Sequence, residues 1–179
     1  WPHPGTDWAR MMADAEQVFL DIAKAVLCFE HLVISCEFVA GLQKLGQELN
    51  QYAEDNHLPG RVVAVPAPAN DTWARDHGPI TVTDADSATL LDFSFNAWGG
   101  KFPWEKDNAL NRHLANAGVF GKTPMQAVDF VLEGGSIESD GQGTILATSE
   151  CLLTPTRNPD LDRSDIEHRL SELLGADRI

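Results

Sequence analysis

A chain of 179 residues carries 13 Lys and Arg against 27 Asp and Glu, a formal net charge of −14. That length holds one domain with a sizeable core, or part of a larger one. Such an excess of negative charge repels nucleic acid and anionic membrane surfaces, so neither is an expected partner. Apolar runs stay well short of membrane-spanning length.

From Asp7 to Phe29, the apolar residues Trp8, Met11, Met12, Ala15, Phe19, Ile22, Ala23 and Val26 recur at helical spacing. Thr6 or Asp7 is expected to cap this helix, because its side-chain oxygen can accept an orphaned backbone N–H. Leu32-Val33-Ile34 reads as a short buried strand. A second helix is expected from Phe38 to Tyr52, with Val39, Leu42, Leu45 and Leu49 inward, broken by Pro59-Gly60. Arg61 to Val65 is the next strand, and Pro66 to Asp71 is a stiff, turn-prone lead into the segment around Asp76. Helix signals return from Asp107 to Ala117, and Val128 to Leu132 forms an apolar strand. Ser164 and Asp165 open a last helix with Ile166, Leu170, Leu173 and Leu174 inward, closed by Gly175. Strands and helices alternate, which makes the class α/β. The opening at Trp1 and the strand-like start after Gly175 suggest a fragment of a longer protein, with one partial domain over 1–179 and no separate second domain.

Within this order one segment repeats. Asp76-His77-Gly78-Pro79-Ile80 recurs as Glu133-Gly134-Gly135-Ser136-Ile137, with acid, glycine and isoleucine displaced by one interval (133 − 76 = 135 − 78 = 137 − 80 = 57). Both copies pass through a turn-rich patch into an apolar run, Thr89-Leu90-Leu91 or Thr144-Ile145-Leu146. A strand-turn-strand unit used twice suggests a repeat architecture whose equivalent positions face a common axis. Asp76 and Glu133 would then converge as paired carboxylates. Such a pair suits a planar, cationic, hydrogen-bond-donating ligand, and guanidinium fits that description.

The stretch Asn70 to Pro79 concentrates charge and aromatic character that is costly to bury without partners. One reading is a structural loop in which Arg75 pairs with Asp71 or Asp76 while Trp73 plugs the core. The other puts Asp76 at a pocket mouth with Trp73 as a cation–π wall, and the echoed acid at Glu133 favours it. Arg75 reads as structural, since a cation would repel a guanidinium. Glu133-Gly134-Gly135-Ser136 is either a glycine-permitted bend with Glu133 at the surface or a close approach between backbone and ligand. Phe95 to Trp104 reads as a hydrophobic corner, and His77 as structural. The other histidines read as surface residues, apart from His3 beside Trp1, which could border the site. Cys28, Cys36 and Cys151 are odd in number and lack metal-ligand spacing; they read as inert, reduced core thiols in a cytoplasmic setting. No cluster suited to a metal stands out.

Together these stretches resemble the agmatine deiminase and bacterial-type peptidylarginine deiminase family of the pentein, guanidino-group-modifying superfamily. The matching segments are Trp1-Pro2-His3, Asp7-Trp8, Asn70 to Pro79, Phe95 to Gly100, Leu132 to Ser136, Cys151-Leu152-Leu153 and Arg157-Asn158-Pro159. The resemblance implies a propeller of five ββαβ modules around a central channel, of which this chain is an incomplete part. It implies hydrolysis of a guanidine to a urea with release of ammonia, agmatine being the first candidate substrate and peptidyl-arginine the second. No cofactor is implied. In that chemistry a cysteine thiolate attacks the guanidinium carbon, a histidine protonates the leaving ammonia, and carboxylates hold the cation. By motif position Asp76 and Glu133 are acids of that set, while Trp73 and Trp1 contribute to substrate binding. The family's glycine-histidine-x-aspartate segment and its late glycine-flanked cysteine have no counterpart here, so the nucleophile is expected outside this chain and the chain itself inactive. Unpaired module edges would leave the chain either poorly stable or self-associating as a homo-oligomer. A non-catalytic binder of guanidino or other cationic ligands is the competing expectation.

Overall fold

The computed structural model describes residues 1–37 and 39–179. A 3₁₀ turn (Asp7–Met11) leads into α1 (Met12–Leu27), β1 (Leu32–Cys36), α2 (Val39–Asp55) and β2 (Val62–Pro66). Then come α3 (Ala74–His77), β3 (Ile80–Thr83), β4 (Ala88–Ser94), α4 (Ala97–Gly100), α5 (Glu105–Asn116) and β5 (Met125–Val131). A second 3₁₀ turn (Gly134–Ser136), β6 (Ile137–Ser139), β7 (Ile145–Ala147), α6 (Ser149–Leu152) and α7 (Arg163–Leu174) complete the order. The class is α/β, as the alternation in the sequence predicts. None of the helices is long and apolar enough to cross a membrane, among the described residues.

The chain divides into two compact units. The first comprises Trp1–Thr72 and Arg112–Gly121. Its strands β1 and β2 pair in parallel, Leu32 opposite Val62 through Cys36 opposite Pro66, and α2 makes the crossover between them. Leu27, Ile34, Leu42, Leu49 and Val62 form its core. Good helix formers (Ala, Glu, Gln, Leu, Lys) fill α1. Its inward face is Ala15, Ala23 and Leu27, whereas Met11 and Ile22 are more than half exposed, so the buried stripe is narrower than the apolar periodicity predicts. Thr6 precedes the opening 3₁₀ turn without a side-chain cap; its hydroxyl donates to the His3 carbonyl instead. The expected helix start at Phe38 and the inward side chain of Val39 lie outside the described residues. Cys28 is exposed just past the end of α1, correcting its reading as a core thiol; Cys36 is buried and Cys151 half-buried.

The second unit, Trp73–Asn111 and Lys122–Ile179, contains the repeat. Strand β3 pairs antiparallel with β4, and β6 with β7. The two hairpins keep the sequence interval at both strand starts (137 − 80 = 145 − 88 = 57). Each hairpin is followed by helix and then by parallel pairing: β5 lies beside β4 with Met125 opposite Leu90, and Arg178 bridges in parallel to Thr144. Leu91, Phe93, Phe130, Leu132, Ile145, Ile166 and Leu170 pack as one core. The cap of α7 is Asp162, in a reciprocal box with Asp165, two residues earlier than Ser164; the helix ends at Gly175 as the sequence indicates.

Candidate functional site

Trp73, Asp76 and Glu133 all belong to the second unit. Asp76 sits in the single turn α3, closed by the Asp76 amide donating to the Trp73 carbonyl at 2.9 Å and the Gly78 amide to Ala74 at 2.8 Å. Its half-buried carboxylate reaches the other copy of the repeat, where Oδ1 accepts from the backbone N–H of Gly135 at 3.1 Å. The two glycines make that approach possible. A Cβ on Gly134 would strike the Arg75 carbonyl oxygen, and one on Gly135 would strike Asp76 Oδ1. The second acidic motif therefore contacts the first through main chain, with Glu133 two residues from the contact.

Glu133 is not at the surface. It is 2 % exposed at the end of the apolar run through β5, and its Oε1 accepts from Arg157 Nε at 2.8 Å. The Arg157 side chain is itself 8 % exposed. Glu133 Oε2 is buried and has no hydrogen-bond partner among the described residues. Arg157 is held in turn: its Nη1 donates to Thr156 Oγ1 at 3.0 Å, and the Thr156 carbonyl accepts from Asn96 Nδ2 at 2.9 Å. Asn158 clamps the end of β5 by a reciprocal pair with Val131, N–H to Oδ1 and Nδ2 to carbonyl, each 3.0 Å. So Arg157 and Glu133 are both tied to one strand end. Sequence reasoning gives Arg157 no role of its own; a buried acid needs a cation, and the Arg-Asn pair is the available signal.

The loop expected to be a plain hydrophobic corner does more than that. Phe95 is fully buried, but α4 after it is one turn whose residues Ala97, Trp98, Gly99 and Gly100 all have positive φ, at 47°, 58°, 91° and 76°. Asn96 Oδ1 caps it by accepting from the Gly99 amide at 2.9 Å. Gly99 lies so close to Thr156 and Arg157 that a Cβ there would overlap both. Trp98 then stands edge-on to Trp73 at 6.2 Å, and Trp73 is 40 % exposed. Trp73 is thus partly open to solvent rather than a core plug. Arg75 points elsewhere: it donates to the Ile137 carbonyl and pairs with exposed Glu138 at 3.6 Å, which replaces the partners expected from sequence.

His77, beside Asp76, is buried against the Phe95 ring, 5.6 Å between centroids. Desolvation pushes its imidazole down to about 4, against the opposing pull of the Asp76 charge, so it is neutral at pH 7. Neither ring nitrogen has a hydrogen-bond partner among the described residues. Its carbonyl accepts from Asn111 Nδ2 at 2.8 Å, and Asn111 also donates to buried Asp92 at 2.8 Å.

Trp1 belongs to the first unit, where its ring packs edge-on to Phe19 at 5.8 Å. With His3, Met12, Glu16 and Glu48 it lines a cleft of about 670 Å³. In the second unit, a cleft of about 530 Å³ is lined by Thr83, Ser87, Ser139 and Gly143, among others, and by neither Asp76 nor Glu133. His31, His57, His113 and His168 are exposed, in agreement with their reading as surface residues.

Chemically, the Asp76–Glu133 neighbourhood carries two carboxylates and one buried guanidinium, one net negative charge (−2 + 1). It also holds a buried carboxylate oxygen with its hydrogen bond unmade. Leaving such an acceptor dry costs on the order of 1–3 kcal/mol, which an N–H donor would recover. A monovalent, N–H-bearing cation matches both the charge and the missing donor.

Comparison with known proteins shows what the chain is similar to. The chain is 35 % identical over 188 residues to a Listeria monocytogenes protein assigned as agmatine deiminase 1, covering all of this chain and 48 % of that one. The structure of C. jejuni agmatine deiminase with substrate bound superimposes with a TM-score of 0.85 at 32 % identity, covering 99 % of this chain and 50 % of that one. A Porphyromonas gingivalis protein assigned as an arginine deiminase gives a TM-score of 0.80 at 38 % identity, covering 99 % and 51 %. The chain thus spans about half the length of the curated relatives it matches. The profile of the Porphyromonas-type peptidyl-arginine deiminases matches residues 1–179, so the chain belongs to this family.

Proposed function

We propose that the protein hydrolyses a guanidino compound, agmatine to N-carbamoylputrescine and ammonia, and that this chain supplies the acidic, cation-holding side of the site. One observation carries the reading: Asp76 touches Gly135 of the second motif at 3.1 Å, while Glu133 keeps a buried oxygen without a donor. In this reading Asp76 and Glu133 take N–H bonds from the guanidinium and Trp73 walls its flat face, with Trp1 a further substrate-binding residue by motif. Water replaces one amino group of the guanidine and that group leaves as ammonia. The attacking cysteine and the proton-donating histidine lie outside these 179 residues, which form one partial domain of a propeller of ββαβ modules. The reaction needs no cofactor. The product suits a cytoplasmic route towards putrescine, and the isolated chain self-associates through its open strand edges.

Peptidyl-arginine is the second substrate reading, favoured by the family profile that matches residues 1–179. Calorimetric titration separates the readings. Agmatine should bind this chain, Asp76→Asn should weaken it at least tenfold, and arginine at a peptide terminus should bind less well. A colorimetric assay for ureido product should show no turnover by the chain alone. Equal affinity for agmatine in wild type and Asp76→Asn would sink the reading. Turnover by the chain alone would refute the external nucleophile.

A further inference from the structure

We infer that Arg157 is the positioning residue of this site: its buried guanidinium takes one oxygen of Glu133 and turns the other towards an N–H donor. The inference rests on the proposed function only for the identity of that donor.

The geometry is one-sided. Nε of Arg157 donates to Oε1 at 2.8 Å, and both side chains are under a tenth exposed, so solvent does not compete for this bond. The guanidinium edge that carries Nε makes no second bond to the carboxylate, and Nη1, on the other side, donates to Thr156 Oγ1 at 3.0 Å. Arg157 therefore does not close a two-bond clamp on the carboxylate, and Oε2 is left buried and unpartnered. A guanidinium engaged through both edges would have consumed both acceptors. The split engagement fixes the carboxylate plane and neutralises part of its burial cost while sparing one acceptor.

The surroundings of Arg157 serve that orientation. Asn96 joins the positive-φ turn to the Thr156 carbonyl, and Asn158 pins the neighbouring backbone to Val131. Gly99 leaves room for the guanidinium, because a Cβ there would overlap Nη1. A lysine at 157 would keep the charge but not the planar fork, and so would not hold the carboxylate plane.

Two readouts on the full 179-residue chain test this. The first needs no ligand: with the glutamate carboxyl carbons labelled, the Glu133 titration is followed by carbon NMR in wild type, Arg157→Lys and Arg157→Gln. Arg157→Gln leaves a buried carboxylate without a counter-ion, so proton affinity at Glu133 should rise at least tenfold over wild type, while Arg157→Lys should restore most of the difference. An unchanged midpoint in folded Arg157→Gln overturns the inference. The second readout is agmatine affinity, which Arg157→Lys should lower about tenfold. Wild-type affinity in that variant overturns the orienting role, and because lysine keeps the buried charge, the test stands even if Arg157→Gln fails to fold. Absence of agmatine binding by wild type would count against the proposed function alone, and the carboxyl titration would still decide on Arg157.

Discussion

Asp76 Oδ1 and the amide of Gly135 meet at 3.1 Å, which makes the two acidic motifs neighbours through a side chain on one and main chain on the other. The contact joins residues 59 apart in sequence, and it comes from copies of one repeat. Gly134 and Gly135 sit against different neighbours there, so their alanine variants should fail differently.

Gly134→Ala drives a methyl into the Arg75 carbonyl oxygen, which is backbone and cannot swing away. Overpacking of this kind costs about 1–3 kcal/mol, so the urea midpoint should fall clearly. Gly135→Ala meets only the Asp76 carboxylate, which can rotate. Its stability should change less, and its loss should show as agmatine affinity in the same calorimetric titration.

His77 makes stability pH-dependent in a known direction. Its folded imidazole titrates at about 4 because burial penalises the cation, whereas the unfolded one titrates near 6.5. Between those values the unfolded chain binds a proton that the folded chain does not. The contribution is fully present above about pH 6.5 and is lost progressively as pH falls towards 4, about 3 kcal/mol in all. Denaturant melts of wild type and His77→Phe across this range should diverge by that amount, the variant losing less. Parallel curves would contradict the buried, neutral placement.

Trp73 stands 40 % exposed, so Trp73→Ala should shift the melting free energy by no more than about 1 kcal/mol. Removing a cation–π face is worth about 0.5–2 kcal/mol, so agmatine should bind about twofold to thirtyfold more weakly. A large stability loss with unchanged binding would return Trp73 to the role of core plug.

Thiol labelling reads the cysteine environments directly. Exposed Cys28 should react first with a disulfide reagent, half-buried Cys151 more slowly, and buried Cys36 only on unfolding. Cys28→Ser should remove the fast phase and leave the melt unchanged.

Much of the fold is legible in the sequence because it depends on near neighbours. The interval of 57 is carried by short motifs, and both hairpins begin their strands on it. Periodicity finds α1 but not its facing. Met11 and Ile22 fall on the apolar arc, yet Ala15, Ala23 and Leu27 occupy the core, and nothing local distinguishes the two edges of the stripe. The site is only half legible. Asp76 and Glu133 announce themselves by repetition, whereas Arg157 reaches Glu133 from 24 residues away, a tertiary choice that no local pattern encodes. The α4 turn is hidden for a related reason. Gly99-Gly100 permits positive φ, but that Ala97 and Trp98 join them is not encoded in any local pattern.

Two residues with side chains, Ala97 and Trp98, hold torsions that glycine adopts at far lower energy. Each stores about 1 kcal/mol or more of local strain, opposed by the surrounding contacts. Relaxing it with Ala97→Gly should raise the melting temperature while slackening the seat of the Trp98 indole. In this molecule a sturdier chain and a firmer aromatic ledge beside Trp73 are competing outcomes of a single backbone angle.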